Sequence, residues 1–353
     1  MAAALAAASV LPARAQEVET VTGAGSTFAW PILKRWSRAY LSARTGSGDF
    51  PTSNSGLEDP PAGSTLDYEP IGSLAGTMRV TDGRVDFGAS DVPLKPEELA
   101  KLGLGQFPIV IGGVVAVVNI EGVGPGQIRF TGELLADIFL GKVQNWSDPA
   151  VKAVNPDLKL PDAKIAVIHR SDGSGTTYNF AHFLSSVSPE WKQKLGVDTL
   201  LSWPWGTGAK GNDGVAQAVR QTRNSIGYVE YAQALQARLS FAQIRNRTGT
   251  FVKPESASFQ AAAASAEWSK TADFNLMLTN APGDAAYPIT ATVFVLMHKK
   301  PNWLRQPRAT FNFFRWSLDE GGKHAAALGY VPLPATLVKQ IKDYWAKTFK
   351  GSS

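Results

Sequence analysis

The sequence predicts an α/β protein of two domains, each built on a mostly parallel sheet flanked by helices. The chain has 353 residues, more than a single hydrophobic core usually organises, so two domains are expected. Short β-prone runs also alternate with segments of helical periodicity, an order typical of parallel sheets. Hydrophobic residues form 44% of the chain and charged residues 18%, which supplies enough apolar material for two packed interiors.

The predicted elements follow one another as strand, loop and helix. Apolar, β-branched runs predict buried strands, and the most apolar of them is the segment IVIGGVVAVVN. The predicted strands, in chain order, cover residues 18–25, 85–90, 109–119, 164–170 and 290–297. Helices are predicted where apolar side chains recur three and four residues apart. Two such sets are Ile32, Leu33, Trp36 and Tyr40, and Phe180, Phe183, Leu184 and Val187.

Two segments are predicted to lie outside these elements. Residues 1–16 form an apolar stretch that ends near Ala13-Arg14-Ala15, a small-x-small pattern that predicts a signal peptide and export. The stretch lacks the usual basic beginning, so a misplaced start or a plain tail remains an alternative. Residues 45–65 are rich in Gly, Ser, Pro and Asp and predict a long surface loop, either a lip of a binding site or an inert excursion.

The composition excludes several kinds of site. The chain has no cysteine, so disulfides, thiolate nucleophiles, cysteine-bound metals and a lipobox anchor are not expected. Basic residues outnumber acidic ones by 35 to 30, but they are scattered without a basic helix, which does not favour nucleic acid. A mildly positive field suits small anions better. No stretch of about 18 apolar residues predicts a membrane-spanning helix.

The strongest functional motif is HRSDGSGTT (residues 169–177), between a predicted strand and a predicted helix. The first N–H groups of a helix lack intrahelical partners, and together with the helix dipole they attract anions. The two glycines let the backbone approach a ligand, and the serine and threonine side chains add hydroxyls. Arg170 can offer a planar fork to two oxygens of an anion such as phosphate. Ordinary helix capping is the alternative interpretation.

Other strand-to-helix junctions follow the same logic. Residues 22–28, TGAGSTF, are no dinucleotide fingerprint, because Phe28 stands where the third glycine belongs. Residues 71–73, IGS, offer a further hydroxyl and N–H at the predicted start of a helix, or form a simple turn. Residues 206–214, GTGAKGNDG, fail as a Walker loop, because Asn212 replaces the required lysine. We interpret that segment as a turn with a helix cap.

Asp91 ends the segment VDFGASD and is unexpected beside an anion site, because a desolvated carboxylate repels phosphate. Near neutral pH, however, phosphate carries at least one proton that an ionised carboxylate can accept. Fully ionised sulfate has no such proton, so a site of this kind would reject it. The alternative is that Asp91 caps a helix before Pro93.

Six short segments closely resemble, in order and spacing, the phosphate-specific substrate-binding proteins of ABC uptake systems. They are TGAGSTF (22–28), IGS (71–73), VDFGASD (85–91), QFPIVIGGVV (106–115), DGSGT (172–176) and IGYVEYA (226–232). Each string is weak alone, whereas the ordered set is specific and spans roughly residues 20–348.

The resemblance implies a type II periplasmic-binding-protein fold, with two lobes that close on phosphate in the cleft between them. Lobe I is expected to combine residues 22–108 with 287–350, and lobe II to cover 109–286. The family's chain crosses its hinge at the apolar strands that begin at Ile109 and after Pro288. The resemblance also implies a periplasmic location and delivery of phosphate to the membrane permease subunits of an ABC importer. No nucleic acid, cofactor or metal is expected, and the protein is expected to be a monomer or part of the transporter complex.

The resemblance also implies a role for each site residue by motif position. The implied phosphate ligands are Thr27, Phe28, Ser73, Asp91, Arg170, Ser174, Gly175 and Thr176, with Ser26 and Asp172 in support. Most of these give backbone N–H groups or hydroxyls, Asp91 accepts the phosphate proton, and Asp172 holds the Arg170 fork. Leu74-Ala75 departs from the small, Gly-rich pair that the family commonly has there, and the 45–65 loop is longer than expected. Both departures concern the cleft edge near Ser73.

Two rival functions use the same donors. A secreted phosphate-ester hydrolase would need further parts, and the four histidines are dispersed with no metal motif. His169 is the only candidate base, with a packing role as the alternative. A receptor for another oxyanion is the closer rival. Asp91 disfavours sulfate and molybdate, whereas arsenate is protonated and shaped like phosphate and is expected to bind. The sequence therefore predicts a binding protein and not an enzyme.

Overall fold

A computed structural model of the chain describes residues 20–46, 65–300 and 307–349. The predicted signal peptide and most of the predicted 45–65 loop lie outside the described residues. The described strands are β1 (Val21–Gly25), β2 (Leu66–Glu69), β3 (Phe87–Ser90), β4 (Leu104–Asn119), β5 (Arg129–Phe130), β6 (Ala166–Arg170), β7 (Thr207–Ala209), β8 (Ser225–Glu230), β9 (Ser240–Phe241), β10 (Gln243–Arg245), β11 (Phe251–Val252) and β12 (Thr290–His298).

Helices fill most of the connections between these strands. They are α1 (Trp30–Thr45), α2 (Ser73–Thr81), α3 (Pro96–Leu102), α4 (Gly132–Phe139), α5 (Pro149–Val154), α6 (Gly175–Val187), α7 (Pro189–Lys194), α8 (Gly211–Gln221), α9 (Tyr231–Gln236), α10 (Ser256–Ala264), α11 (Pro307–Asp319), α12 (Gly322–Ala327) and α13 (Ala335–Thr348). Two single 3₁₀ turns lie at Trp268–Lys270 and Ala272–Phe274. Within the described residues, no helix is long and apolar enough to cross a membrane.

The main sheet follows the strand order β2-β1-β3-β12-β4-β8-β6-β7, and β9 pairs with β4. The β1–β2, β1–β3, β6–β8 and β6–β7 pairs are parallel. The β12 strand runs antiparallel to both β3 and β4, and β4 runs antiparallel to β8. The predicted α/β fold class is confirmed, with parallel strands toward the outer parts of the sheet and antiparallel strands at its centre.

The central strand β4 is long because its sequence suits burial on both faces. All of its residues except Asn119 are buried, as expected for a β-branched, apolar run inside a sheet. Its first part pairs with β12 up to Gly113, and its last six residues, from Val114, pair with β8. The register with β12 shifts beside Pro108, where proline cannot donate a ladder hydrogen bond and a bulge absorbs the mismatch. One strand therefore joins the two parts of the sheet.

The ends of the strands decide where a site can form. In open α/β sheets, ligands bind outside the carboxyl ends of parallel strands. The segments after β1, β2 and β3 meet at one such edge, and the segments after β6, β7 and β8 meet at another. The three predicted motifs after β1, β2 and β6 each lead into a helix, α1, α2 and α6, as the sequence predicts.

Candidate functional site

The loop between β1 and α1 holds the first group of predicted ligands. Ser26 N–H donates to Ala89 O at 2.8 Å, and Ser26 O accepts from Tyr68 Oη at 2.9 Å. Phe28 O accepts from Tyr330 Oη at 2.7 Å, and the Phe28 ring is fully buried. The carbonyl groups of Ser26 and Phe28 are thus hydrogen-bonded within the protein. The hydroxyl and N–H of Thr27 and the N–H of Phe28 are the polar groups that this loop can offer to a ligand.

Asp91 directly follows β3 and lies against this loop. Ser26 Oγ donates to Asp91 Oδ1, and Asp91 N–H donates to Ser73 Oγ at 3.2 Å. The side chain is only 2% exposed. Burial raises the pKa of Asp91 to about 7, although the Ser26 hydrogen bond, the Arg170 charge and Ser73 oppose the shift. Helix α3 begins only at Pro96, so Asp91 is not a helix cap.

Ser73 and Asp91 lie against Gly175, the first residue of α6. A Cβ on Gly175 would lie 2.8 Å from Asp91 Oδ2 and closer still to Ser73 Oγ. Only glycine leaves room for this approach. Asn179, one turn later in α6, donates from Nδ2 to Asp91 O at 2.8 Å. A further contact joins Leu74 N–H to Gly173 O at 3.2 Å, so the predicted departure at Leu74 lies where the two segments touch.

Arg170 ends β6 with its side chain buried against Asp172. Arg170 Nε donates to Asp172 Oδ1 at 2.7 Å and Nη2 to Oδ2 at 2.5 Å, and Nη1 lies 3.4 Å from Thr176 Oγ1. Burial raises the pKa of Asp172, but the hydrogen bonds and charge of Arg170 and the Gly211 N–H outweigh it and lower the pKa. Asp172 occupies the edge of the guanidinium that is formed by Nε and Nη2. The end of the guanidinium, with one N–H from each of Nη1 and Nη2, is therefore left for two anion oxygens.

Helix α6 begins at Gly175 with Ser174 as its N-cap. Ser174 Oγ accepts from Thr177 N–H at 3.0 Å, and Ser174 N–H donates to Thr199 O at 2.8 Å. The predicted Ser174 donor is therefore restricted to its hydroxyl hydrogen. Gly175 and Thr176 occupy the first two helical positions, where N–H groups have no intrahelical acceptor, and both residues are buried. The capping and anion-binding interpretations of this motif are compatible, because they use different N–H groups.

Asn212 belongs to the same cluster, and the sequence did not predict it as a site residue. It lies in the first turn of α8, is fully buried, and donates from Nδ2 to Thr27 Oγ1 at 2.9 Å and to Thr176 Oγ1 at 3.2 Å. The predicted turn and helix start are present, but Lys210, the N-cap residue, makes no side-chain capping bond. The available signal was position, because Asn212 comes three residues after the end of strand β7, much as Thr27 comes two residues after the end of β1.

The structure thus brings all eight predicted ligands into one buried cluster, through direct contacts or as chain neighbours of contacting residues. The donors are N–H groups, hydroxyls and one guanidinium, and Asp91 is the only carboxylate among the predicted ligands, whereas the supporting Asp172 is paired with Arg170. The candidate base His169 is half-buried and stacks on Trp203 at 4.8 Å between ring centroids, a packing role. Among the described residues, no group of three or more His, Asp or Glu side chains could hold a metal. The cluster can hold a small oxyanion that brings a proton.

The chain is similar to known proteins along most of its length. The family model of the PBP superfamily domain matches residues 12–320. The chain is 49% identical over 344 residues, 97% of its length and 90% of the relative's, to the phosphate-binding protein PstS of Xylella fastidiosa (strain 9a5c). It is 42% identical over 336 residues, 95% of its length and 92% of the relative's, to PstS of Pasteurella multocida (strain Pm70). A solved phosphate-binding protein from Stenotrophomonas maltophilia superposes with a TM-score of 0.68 at 19% identity, covering 93% of this chain and 94% of that one, a likeness of fold.

Proposed function

Because this chain belongs to the PstS phosphate-binding proteins of the PBP superfamily, we propose that it binds inorganic phosphate and delivers it to an ABC-type importer. The observation that carries the proposal is the buried cluster of donors together with Asp91, a carboxylate that is hydrogen-bonded by Ser26 but paired with no cation. The proposed ligands are Thr27, Phe28, Ser73, Asp91, Arg170, Ser174, Gly175 and Thr176, with Ser26 and Asp172 in support.

Phosphate suits this cluster because most of its partners are neutral dipoles. Net positive charge would bind any anion, whereas fixed N–H and O–H donors test geometry. The charge of Arg170 is already balanced by Asp172, so the two residues together add orientation and two strong hydrogen bonds without a large net charge. Any bound oxyanion must therefore match the positions of the donors.

Asp91 tests whether the ligand carries a proton. Its pKa of about 7 lies near neutrality, where phosphate also holds at least one proton. One hydrogen then lies between Asp91 and phosphate, whichever group carries it. Sulfate brings no proton, so it meets an ionised Asp91 as an unpaired, repelling acceptor and can bind only the protonated form, which becomes scarce as the pH rises above about 7. The same argument admits arsenate, which is protonated like phosphate.

We propose that the protein has two lobes that close on the ligand. Lobe I combines residues 22–108 with 287–350, and lobe II covers residues 109–286. Hydrogen bonds between Thr27 and Asn212 and between Leu74 and Gly173 join residues of the two proposed lobes and support a closed arrangement. Phosphate favours closure only by binding the closed state better. We place the protein in the periplasm, where the importer's permease subunits would receive the closed complex.

Isothermal titration with phosphate, arsenate, sulfate and a phosphate monoester tests the proposed function. We expect phosphate and arsenate to bind, sulfate to bind far more weakly, and the monoester to be neither bound tightly nor hydrolysed. Small-angle scattering with and without phosphate tests closure, and the radius of gyration should fall at saturation. Equal affinity for sulfate and phosphate, or turnover of the monoester, would overturn the receptor assignment, and an unchanged radius would overturn hinge closure.

A further inference from the structure

Asn212 makes contacts that go beyond holding two segments together. Its side chain reaches Thr27 in the loop after β1 and Thr176 in the first turn of α6, both through Nδ2. These threonines are two of the proposed phosphate ligands, so the inference that follows rests on the proposed function. Asn212 itself is not one of those ligands.

The hydroxyl of Thr27 has its acceptor capacity filled by Asn212. Thr27 Oγ1 accepts from Asn212 Nδ2 at 2.9 Å and from the Asn212 backbone N–H at 3.2 Å. A hydroxyl oxygen has two lone pairs and one hydrogen. With both lone pairs engaged, the hydroxyl can act toward a further partner only as a donor.

The hydroxyl oxygen of Thr176 is likewise surrounded by donors. Its Oγ1 accepts from Asn212 Nδ2 at 3.2 Å and faces Arg170 Nη1 at 3.4 Å. Both of its lone pairs therefore face N–H groups, and the remaining hydrogen is available to donate. The two hydrogens of the Asn212 amide are divided between the two threonines.

The orientation of the Asn212 amide is itself determined by the fold. Asn212 Oδ1 accepts from Glu230 N–H, at the end of β8, at 3.0 Å. A flipped amide would set its NH₂ group against that N–H and leave two donors facing each other. The side chain is fully buried, so water cannot substitute for a lost partner, and a mismatched amide would be strongly disfavoured.

We propose that Asn212 is a positioning residue that makes the Thr27 and Thr176 hydroxyls obligate donors to the bound phosphate. The backbone N–H of Glu230 orients the amide, the amide occupies the acceptor side of both hydroxyls, and both hydroxyl hydrogens are left for ligand oxygens. The cleft then presents donors everywhere except at Asp91, and Asn212 contributes to the selection of an anion without touching it.

Asn212→Asp tests this assignment with little change of shape. The carboxylate replaces a donor by an acceptor, so the threonine hydroxyls turn to donate to it and away from phosphate. We expect phosphate affinity at pH 8 to fall by about ten- to a hundredfold. The deficit relative to wild type should shrink as the pH is lowered, because a protonated Asp at position 212 regains one O–H donor. Titrations at several pH values measure both effects.

A double-mutant cycle separates hydroxyl orientation from the added charge. Asn212→Ala removes the amide without adding charge, and Thr27→Val removes the hydroxyl. If Asn212 acts through that hydroxyl, Thr27→Val should weaken binding less in the Asn212→Ala background than in wild type, by at least about threefold. The cycle remains informative if Asn212→Asp does not fold. Additive effects of the two substitutions would overturn the proposal.

Asn155→Asp is a matched control. Asn155 is also buried, accepts from Arg129 N–H and donates to backbone carbonyls, but it lies outside the site. We expect it to lower stability and to leave phosphate affinity within about threefold once folded. An equal loss of affinity in both Asn→Asp variants would also overturn the proposal. Wild type that binds no phosphate would instead refute the proposed function, so the two failures are distinguishable.

Discussion

Two aspartates in the candidate site, Asp91 buried and Asp172 partly buried, have opposite electrostatic environments. Asp172 faces the Arg170 guanidinium through two hydrogen bonds and its pKa is lowered. Asp91 has hydroxyl and N–H partners, Ser26 and Ser73, and burial raises its pKa to about 7. Both follow strand ends and both are near Arg170, so residue type and position along a strand do not distinguish them.

Direct pairing with a cation, and not proximity to one, therefore sets the role of each carboxylate in this site. A carboxylate in contact with a guanidinium stays ionised and orients it. A carboxylate whose neighbours are neutral dipoles is poised to share a proton. We infer that Asp172 serves affinity through Arg170, whereas Asp91 serves selectivity, and four measurements test that distinction.

The largest effect is expected from Arg170→Ala, which removes the cation and leaves Asp172 unpaired in the site. Desolvated, charge-assisted hydrogen bonds are worth roughly 2 to 5 kcal/mol, so phosphate affinity should fall by a factor of about 30 to several thousand. Titration calorimetry measures the loss. The control is Arg79→Ala, which breaks an exposed pair with Glu69 and should change affinity little. A loss of threefold or less in Arg170→Ala would remove Arg170 from the site.

The next effect is on stability without phosphate. The native pKa of Asp91 is about 7 against an ordinary 3.8, so between these values the folded protein binds more protons than the unfolded chain. Stability should therefore fall as pH rises from about 4 to 7, by on the order of 4 kcal/mol. In Asp91→Asn the fall should be smaller by that amount, because buried Glu230, whose pKa is also raised, titrates in both proteins. Urea unfolding of both proteins from pH 4.5 to 8 measures it, and parallel stability curves would show that Asp91 is not protonated in the native state.

A smaller effect is expected on selectivity. Asp91→Asn supplies a donor as well as an acceptor, so the repulsion that excludes sulfate should be relieved by about 1 to 3 kcal/mol. Sulfate affinity should rise relative to phosphate affinity by one or two decades. Phosphate should change less, because the amide oxygen still accepts its proton. Side-by-side titrations at neutral pH decide the matter, and an unchanged ratio would mean that Asp91 has no part in discrimination.

The smallest effect on selectivity is expected from Asp172→Asn. The amide offers one acceptor where the carboxylate offers two to Arg170 and one of those also to Gly211 N–H, so the guanidinium is held less firmly. Affinities for phosphate and sulfate should change together, with their ratio within about threefold of wild type. The same titrations measure it. A ratio that shifts as far as in Asp91→Asn would abolish the proposed division of roles.

The fold was largely predictable because its elements carry local signals. Strand β4 was predicted from its apolar run, and the structure extends it from Ile109 back to Leu104. Helices α1 and α6 were predicted from their periodicity and begin within two and five residues, respectively, of the first predicted position. The antiparallel pairing of β12 with β4 was not predictable, because strand direction depends on where a long connection returns the chain. The proposed lobe boundaries remain predictions.

The residues that can bind an anion were recognisable from the sequence alone, because glycines, hydroxyls and an arginine at strand ends carry a local signature. How each of them is used depends on its neighbours in the folded protein. Ser174 gives its N–H to Thr199 O, and Asn212, interpreted from sequence as part of a turn, lies between Thr27 and Thr176. Those partners are far apart in the chain, and hydrogen bonding and desolvation depend on neighbours in space. The identities of the site residues could therefore be predicted from the sequence, whereas their hydrogen-bonding roles could be assigned only from the folded structure.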